Sequence, residues 1–142
     1  MANYHPSPTE WVRNQVEEIE SSGGRAGMSL RGMPVVLVTH RGRKTGAVRK
    51  TPLMRVMDGR NYVLVASKGG APEHPVWYHN LLAGPDVAIR DGEQVHEMRV
   101  RLVEGRAERE RLWALAVQAY PDYAEYTRRT TREIPLFVAE PR

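Results

Sequence analysis

The spacing of apolar residues changes character at Met33. Before it, Val12, Val16 and Ile19 recur at helical intervals between Thr9 and Ser21. That pattern predicts an amphipathic helix capped by Thr9, with Glu10 in its first turn and Trp11 beside the stripe. Ser21-Ser22-Gly23-Gly24 ends it, and Ser21–Gly32 reads as a mobile linker. After Met33-Pro34 the runs become strand-like: Val35–Thr39, Val48–Met57, Asn61–Ala66, Val87–Arg90, Gln94–Val103 and Ile134–Ala139. Met98, Val100 and Leu102 alternate inward, and Asp58-Gly59 and Asp91-Gly92 mark tight hairpin turns. Two helical patterns interrupt the strands. One is Val76–Ala83, closed by Gly84-Pro85; the other is Glu104–Ala119, with Leu112, Leu115, Ala116 and Ala119 on one side. Pro121 stops the second, and Asp122–Thr130 resumes as a further turn and helix. Five or six mostly antiparallel strands with flanking helices predict a mainly β, mixed α+β domain, barrel-like rather than built of βαβ units. The division expected is 1–32 for helix and linker and 33–142 for the sheet domain.

The totals narrow the class. A chain of 142 residues with 41% apolar content suits one compact domain. Without cysteine there is no disulfide, thiolate metal site or cysteine nucleophile, which fits a reducing cytoplasm. No apolar run reaches the ~18 residues of a membrane span. The first helix is expected to pack on the domain. A peripheral contact with the inner face of the cell membrane is the sharper alternative, against which Glu17, Glu18 and Glu20 count.

Charge changes the picture most. From Arg31 through Met57 there are seven Lys/Arg and no Asp or Glu, in a chain whose net charge is only +4. The positive charge is therefore concentrated on Thr39–Gly46, the connection between Val35–Val38 and Thr51–Met57, where Gly42 and Gly46 supply turn backbone. A local cationic field at a loop tip is how a protein holds phosphate or carboxylate groups. A solvated basic hairpin is the competing reading. Gly42–Gly46 lacks Walker spacing and has strands on both sides, so ATP chemistry is not expected, and no Rossmann glycine fingerprint is present. Ala66-Ser67-Lys68-Gly69-Gly70 lets backbone amides approach a ligand. Trp77-Tyr78-His79-Asn80 offers flat faces and polar tips, or ordinary core packing. Tyr120, Tyr123 and Tyr126, at i, i+3 and i+6, would place three phenols on one helical side, facing a cavity because buried phenols need partners. The five histidines form no ligand set, and His74 and His79 are poorly spaced for one metal, so none is expected. Ser67 and His79 lack the nucleophile-elbow context of a hydrolase.

Taken together, Gly42–Gly46, Ala66–Pro72, Pro75–Leu81 and Tyr120–Tyr126 resemble the deazaflavin-dependent nitroreductase family, in the same order along the chain. That resemblance implies a split β-barrel related to FMN-binding folds. It also implies coenzyme F420, an 8-hydroxy-5-deazaflavin with a phosphodiester and polyglutamate tail, and an activity reducing quinones, nitroaromatics or other conjugated electrophiles. By the same likeness Arg43, Lys44, Thr45 and Arg49 would hold the phosphate and acidic tail. Pro52, Leu53 and Met54 would line the ring, with Ala66, Ser67 and Lys68 on its polar edge. Trp77, Tyr78, His79 and Asn80 would complete the cofactor wall, with Tyr120, Tyr123 and Tyr126 on the substrate side. Ser67 or Tyr123 would serve as hydrogen-bond or proton donor to the reduced substrate.

Three alternatives remain in view: an FMN-using oxidoreductase of the same fold, a non-catalytic carrier of a deazaflavin or tetrapyrrole, and a nucleic-acid module. The last would need aromatics on an open basic face, and clustering of the cations argues against it. The expected partner is a small-molecule substrate, with no nucleic acid, in a monomer or homodimer.

Overall fold

A computed structural model describes residues 3–142; of the irregular lead expected over residues 1–9, the first two lie outside the described residues. Eight strands form one curled antiparallel sheet, a half-barrel flanked by four helices. The strands are β1 (Ser29–Leu30), β2 (Met33–Arg41), β3 (Val48–Met54), β4 (Met57–Asp58), β5 (Asn61–Val65), β6 (Asp86–Asp91), β7 (Gln94–Leu102) and β8 (Leu136–Pro141). The helices are α1 (Glu10–Ser21), α2 (Val76–Ala83), α3 (Arg106–Ala119) and α4 (Asp122–Tyr126). The order β1-β2-β6-β7-β8-β5-β4 is completed by β3, which pairs with β2.

Alternation explains the layers. Val36 and Val38 of β2, Leu64 of β5 and Phe137 and Ala139 of β8 face one core with Trp77 and Leu81 of α2. Val63, Val65, Leu136 and Val138 face the other side, against Leu112 and Ala116 of α3 and Tyr123 of α4. Leu37 meets Val16 and Ile19 of α1. With both faces covered, the strands read as continuous apolar runs rather than alternating ones.

Three expectations are corrected. Ser21–Gly32 is not a loose linker: Ser29 and Leu30 pair with Pro34 and Met33, and the Gln15 amide donates to the carbonyls of Gly27 and Ser29 at 2.9 and 3.1 Å. Val48–Met57 is two strands, because the chain leaves β2 at Met54 and joins β5 at Met57. Arg55 braces this corner by donating from Nε to Asp91, whose carboxylate also accepts from the Tyr62 hydroxyl at 2.8 Å. The strand total is accordingly eight instead of five or six. Finally, the three tyrosines do not share one helix, since Tyr120 follows the last turn of α3 and α4 starts only after Pro121.

Candidate functional site

The β2–β3 hairpin, the segment after β5, the start of α2 and the tyrosine segment meet on one side of the half-barrel. Between them runs a groove with two lobes. The tyrosine lobe, about 330 Å³, is walled by Pro52, Leu53 and Met54 of β3, Ser67, Lys68 and Gly69, Trp77, and Tyr120, Tyr123 and Tyr126. Trp11 and Val12 of α1 and Arg31 of the β1–β2 turn also line it. The basic lobe, about 620 Å³, lies between His40, Arg49, Lys50, Lys68 and Asn80 on one side and His5, Ser7, Pro8 and Thr9 on the other. Val12, Thr51, Lys68, Pro75 and Trp77 line both lobes, so the two are one continuous groove.

In the tyrosine lobe, Tyr120 accepts from the Arg31 guanidinium at 3.1 Å and donates to Asp122 at 3.1 Å. Its proton thus committed, Tyr120 accepts the Tyr126 hydroxyl, also at 3.1 Å. Burial, with these hydrogen bonds to Tyr126 and Asp122, pushes the Tyr120 phenol up to about 12. Tyr123 is 4% exposed and stands edge-on to Tyr120, ring centroids 5.0 Å apart. Burial raises its phenol well above the ordinary range. Its hydroxyl has no hydrogen-bond partner among the described residues. Gln15 Oε1 is the one fully enclosed side-chain atom among them left unpaired, so the Tyr123 hydroxyl is not fully enclosed, and Tyr123 lines the lobe. The Tyr120 and Tyr123 phenols are therefore neutral at physiological pH.

The segment after β5 is held in an unusual shape. Lys68, Gly69 and Gly70 all have positive φ (46, 63 and 81°), a conformation costly for lysine. Arg132 braces it from behind, donating to the carbonyls of Ala71 (2.8 Å), Ala66 (3.2 Å) and Ser67 (2.7 Å) and to His74 Nδ1 (3.0 Å). Ser67 itself is 8% exposed and lines the lobe.

Around the basic lobe the charges differ in availability. Lys50 pairs with Glu20, and Lys68 with Glu73. Arg41, Arg43, Lys44 and Arg49 meet no carboxylate among the described residues, where Glu20 is taken by Lys50 and Arg90. Arg43, Lys44 and Thr45 sit at the hairpin tip and do not line either lobe directly. The Arg43 backbone N–H donates to Asn80 Oδ1 at 3.0 Å, which fastens the tip to the lobe wall. Thr45 Oγ1 accepts the Ala47 N–H at 3.2 Å, shaping the turn. Ala66 is fully buried behind the groove. Tyr78 and His79 stand off both lobes: Tyr78 packs on His74 and Phe137, and His79 stands edge-on to Tyr78.

A model of the family "F420H(2)-dependent quinone reductase" matches residues 11–141. The chain belongs to that family. The F420H(2)-dependent quinone reductase Rv1261c of Mycobacterium tuberculosis is 39% identical over 120 residues, covering 82% of this chain and 80% of the relative. Among solved structures, an F420-H2 dependent reductase, FDR-A, is 51% identical with a TM-score of 0.71, over 75% of this chain and 94% of that one. Another, described as a domain-swapped dimer, is 49% identical with a TM-score of 0.74, over 94% of this chain and 100% of that one. The resemblance seen in the motifs thus resolves to the quinone reductases of the F420-dependent group, and coenzyme F420 is the cofactor of this family.

The groove suits that cofactor in kind. One lobe is flat-walled by Trp77 and the Pro52–Met54 edge; the other carries guanidinium and ammonium groups, some unpaired. Arg31, His40, Thr51, Arg132, Trp11 and Val12 are at or behind the groove without having been singled out by motif. Their signal lies in tertiary placement: Thr51 and His40 are neighbours only once β2 and β3 pair, and Arg132 is 65 residues from Ser67.

Proposed function

We propose that this protein reduces quinones with reduced F420, and that nitroaromatics, flat and electron-poor in the same way, are a second acceptor class. The observation that carries the reading is the continuity of the groove: Thr51, Lys68, Pro75 and Trp77 line both a cationic lobe and a hydroxyl-rich one. A coenzyme with a ring and a multiply anionic tail spans these two environments; a tail-free flavin would use only one. Arg49, with Arg43 and Lys44 at the hairpin tip, supplies the tail's counter-charge. Pro52, Leu53, Met54 and Trp77 fix the plane of the ring, which leaves the Tyr123 side for the acceptor. When bound, the reduced deazaflavin supplies a hydride. Reduction of a quinone to its hydroquinone needs a proton besides, and the chain's part is to provide it and to keep the acceptor close. Tyr123 and Ser67 are the donors suited to this, each with a hydroxyl unpaired within the described residues. The Tyr126–Tyr120–Asp122 chain holds the tyrosines in place behind them.

A homodimer belongs to the same reading, supported by the relative described as a domain-swapped dimer; light scattering that returns the mass of one chain would remove it. The activity is tested by mixing the protein with reduced F420 and menadione. Appearance of oxidised F420 together with menadiol in equal amounts is expected, and absence of turnover with menadione and with a nitroaromatic would overturn the proposal.

A further inference from the structure

The inner wall of the groove contains a directed chain of hydrogen bonds that ends at the junction of the two lobes. It starts at the hairpin tip. A backbone N–H can only donate, so the Arg43 N–H at 3.0 Å identifies the facing atom of the Asn80 amide as oxygen. The amide nitrogen of Asn80 therefore points the other way, to His40 Nδ1 at 3.4 Å. An amide nitrogen only donates, so Nδ1 of His40 is the bare acceptor. The ring proton of a neutral imidazole is then on Nε2, which stands 2.9 Å from Thr51 Oγ1 and donates to it.

The ring is neutral for reasons of place. His40 is 3% exposed, and burial together with the nearby Arg49 guanidinium lowers it to about 4. Asn80 is 2% exposed, so both links are shielded from bulk water. Thr51 Oγ1 now accepts one hydrogen bond, and its own proton points elsewhere. Among the described residues no protein acceptor is paired with that proton, yet Thr51 lines both lobes. A donor oriented from behind, and left open in front, stands where a ligand spanning the groove must pass.

Resting on the proposed reading of the groove as the F420 site, we propose that Thr51 donates a hydrogen bond to an acceptor atom of the cofactor near the point where its ring joins its chain, and that His40 is the residue that aims it. The orientation is built in before binding, because the Arg43 N–H allows only one sense for the whole chain. The hairpin that carries the cations therefore also sets the direction of the Thr51 hydroxyl.

Two measurements on the full chain test this. Long-range proton–nitrogen NMR of histidine-labelled protein at neutral pH should show His40 with a proton on Nε2 and none on Nδ1. A proton on Nδ1, or on both nitrogens, overturns the proposal. Titration with oxidised F420 should show Thr51→Val binding roughly three- to tenfold more weakly than the unchanged chain, the loss of one neutral hydrogen bond. Thr51→Ser, which keeps the hydroxyl, should bind within about twofold on the same scale. Should Thr51→Val not fold, Thr51→Ala carries the same expectation. Equal affinity of the hydroxyl-lacking variant and the unchanged chain overturns the inference alone; failure of the unchanged chain to bind F420 overturns the reading of the groove and the inference with it.

Discussion

His40 ties stability to pH. The unfolded ring takes up a proton near 6.5, whereas the folded one, shielded by burial and repelled by Arg49, does so only at about 4. Between those values the unfolded state binds more protons, so stability falls as pH falls. The contribution is fully present above 6.5 and amounts to about 3 kcal/mol lost on approaching pH 4. Urea melts of the unchanged chain should thus weaken more steeply over this window than those of His40→Asn; parallel curves would contradict it. Tyr123 is shifted the other way. With its phenol raised, it remains a proton donor through neutral and mildly alkaline pH. Tyr123→Phe should slow single-turnover quinone reduction on the order of tenfold or more, with F420 affinity unchanged. If neither Tyr123→Phe nor Ser67→Ala alters that rate, solvent supplies the proton.

At the scale of elements, the segment Ser67–Gly70 has little tolerance for a side chain. Gly70 has φ of 81°, and a Cβ there would lie 2.8 Å from the Tyr126 carbonyl oxygen and 2.9 Å from Arg129 Cβ. Gly70→Ala should cost roughly 1–3 kcal/mol and displace α4, visible as a lowered Tm. Arg132→Lys keeps the charge but cannot reproduce a planar fork serving four acceptors. Faster amide exchange over Ser67–Ala71 is expected; unchanged exchange would show that the shape is intrinsic to the segment. Some of this was readable beforehand. The Asp-Gly turns, the continuous apolar strands and the Val76–Ala83 helix announce themselves through local chemistry. β1 does not, because two residues carry no period and Ser29–Leu30 becomes a strand only against Met33 and Pro34. The tyrosine spacing read as one helical stripe for a similar reason: period says nothing about the break that Pro121 imposes.

For the whole molecule, the motifs gave the groove's materials but not its plan. The basic hairpin, the Ser67–Gly70 segment, Trp77 and the tyrosines do converge on one side. Sequence alone, however, could not distinguish a cation at the rim, such as Lys44, from one lining the lobe, such as Arg49. Nor could it show that Trp77 lines the groove while Tyr78 and His79, next to it in the chain, line neither lobe, because a helix turns neighbours to different sides. The N-terminal segment likewise borders the groove: the Val48 N–H donates to the Asn3 carbonyl and the His5 N–H to the Val48 carbonyl, both at 2.8 Å, which holds His5–Thr9 over the basic lobe. The central claim is that separate lobes receive the ring and the anionic tail. Its most direct test is equilibrium binding of F420 beside the same deazaflavin without phosphodiester and glutamates, at rising salt. The account predicts tighter binding of F420, an advantage that shrinks as salt screens the tail; equal affinity for the two at low salt would contradict it.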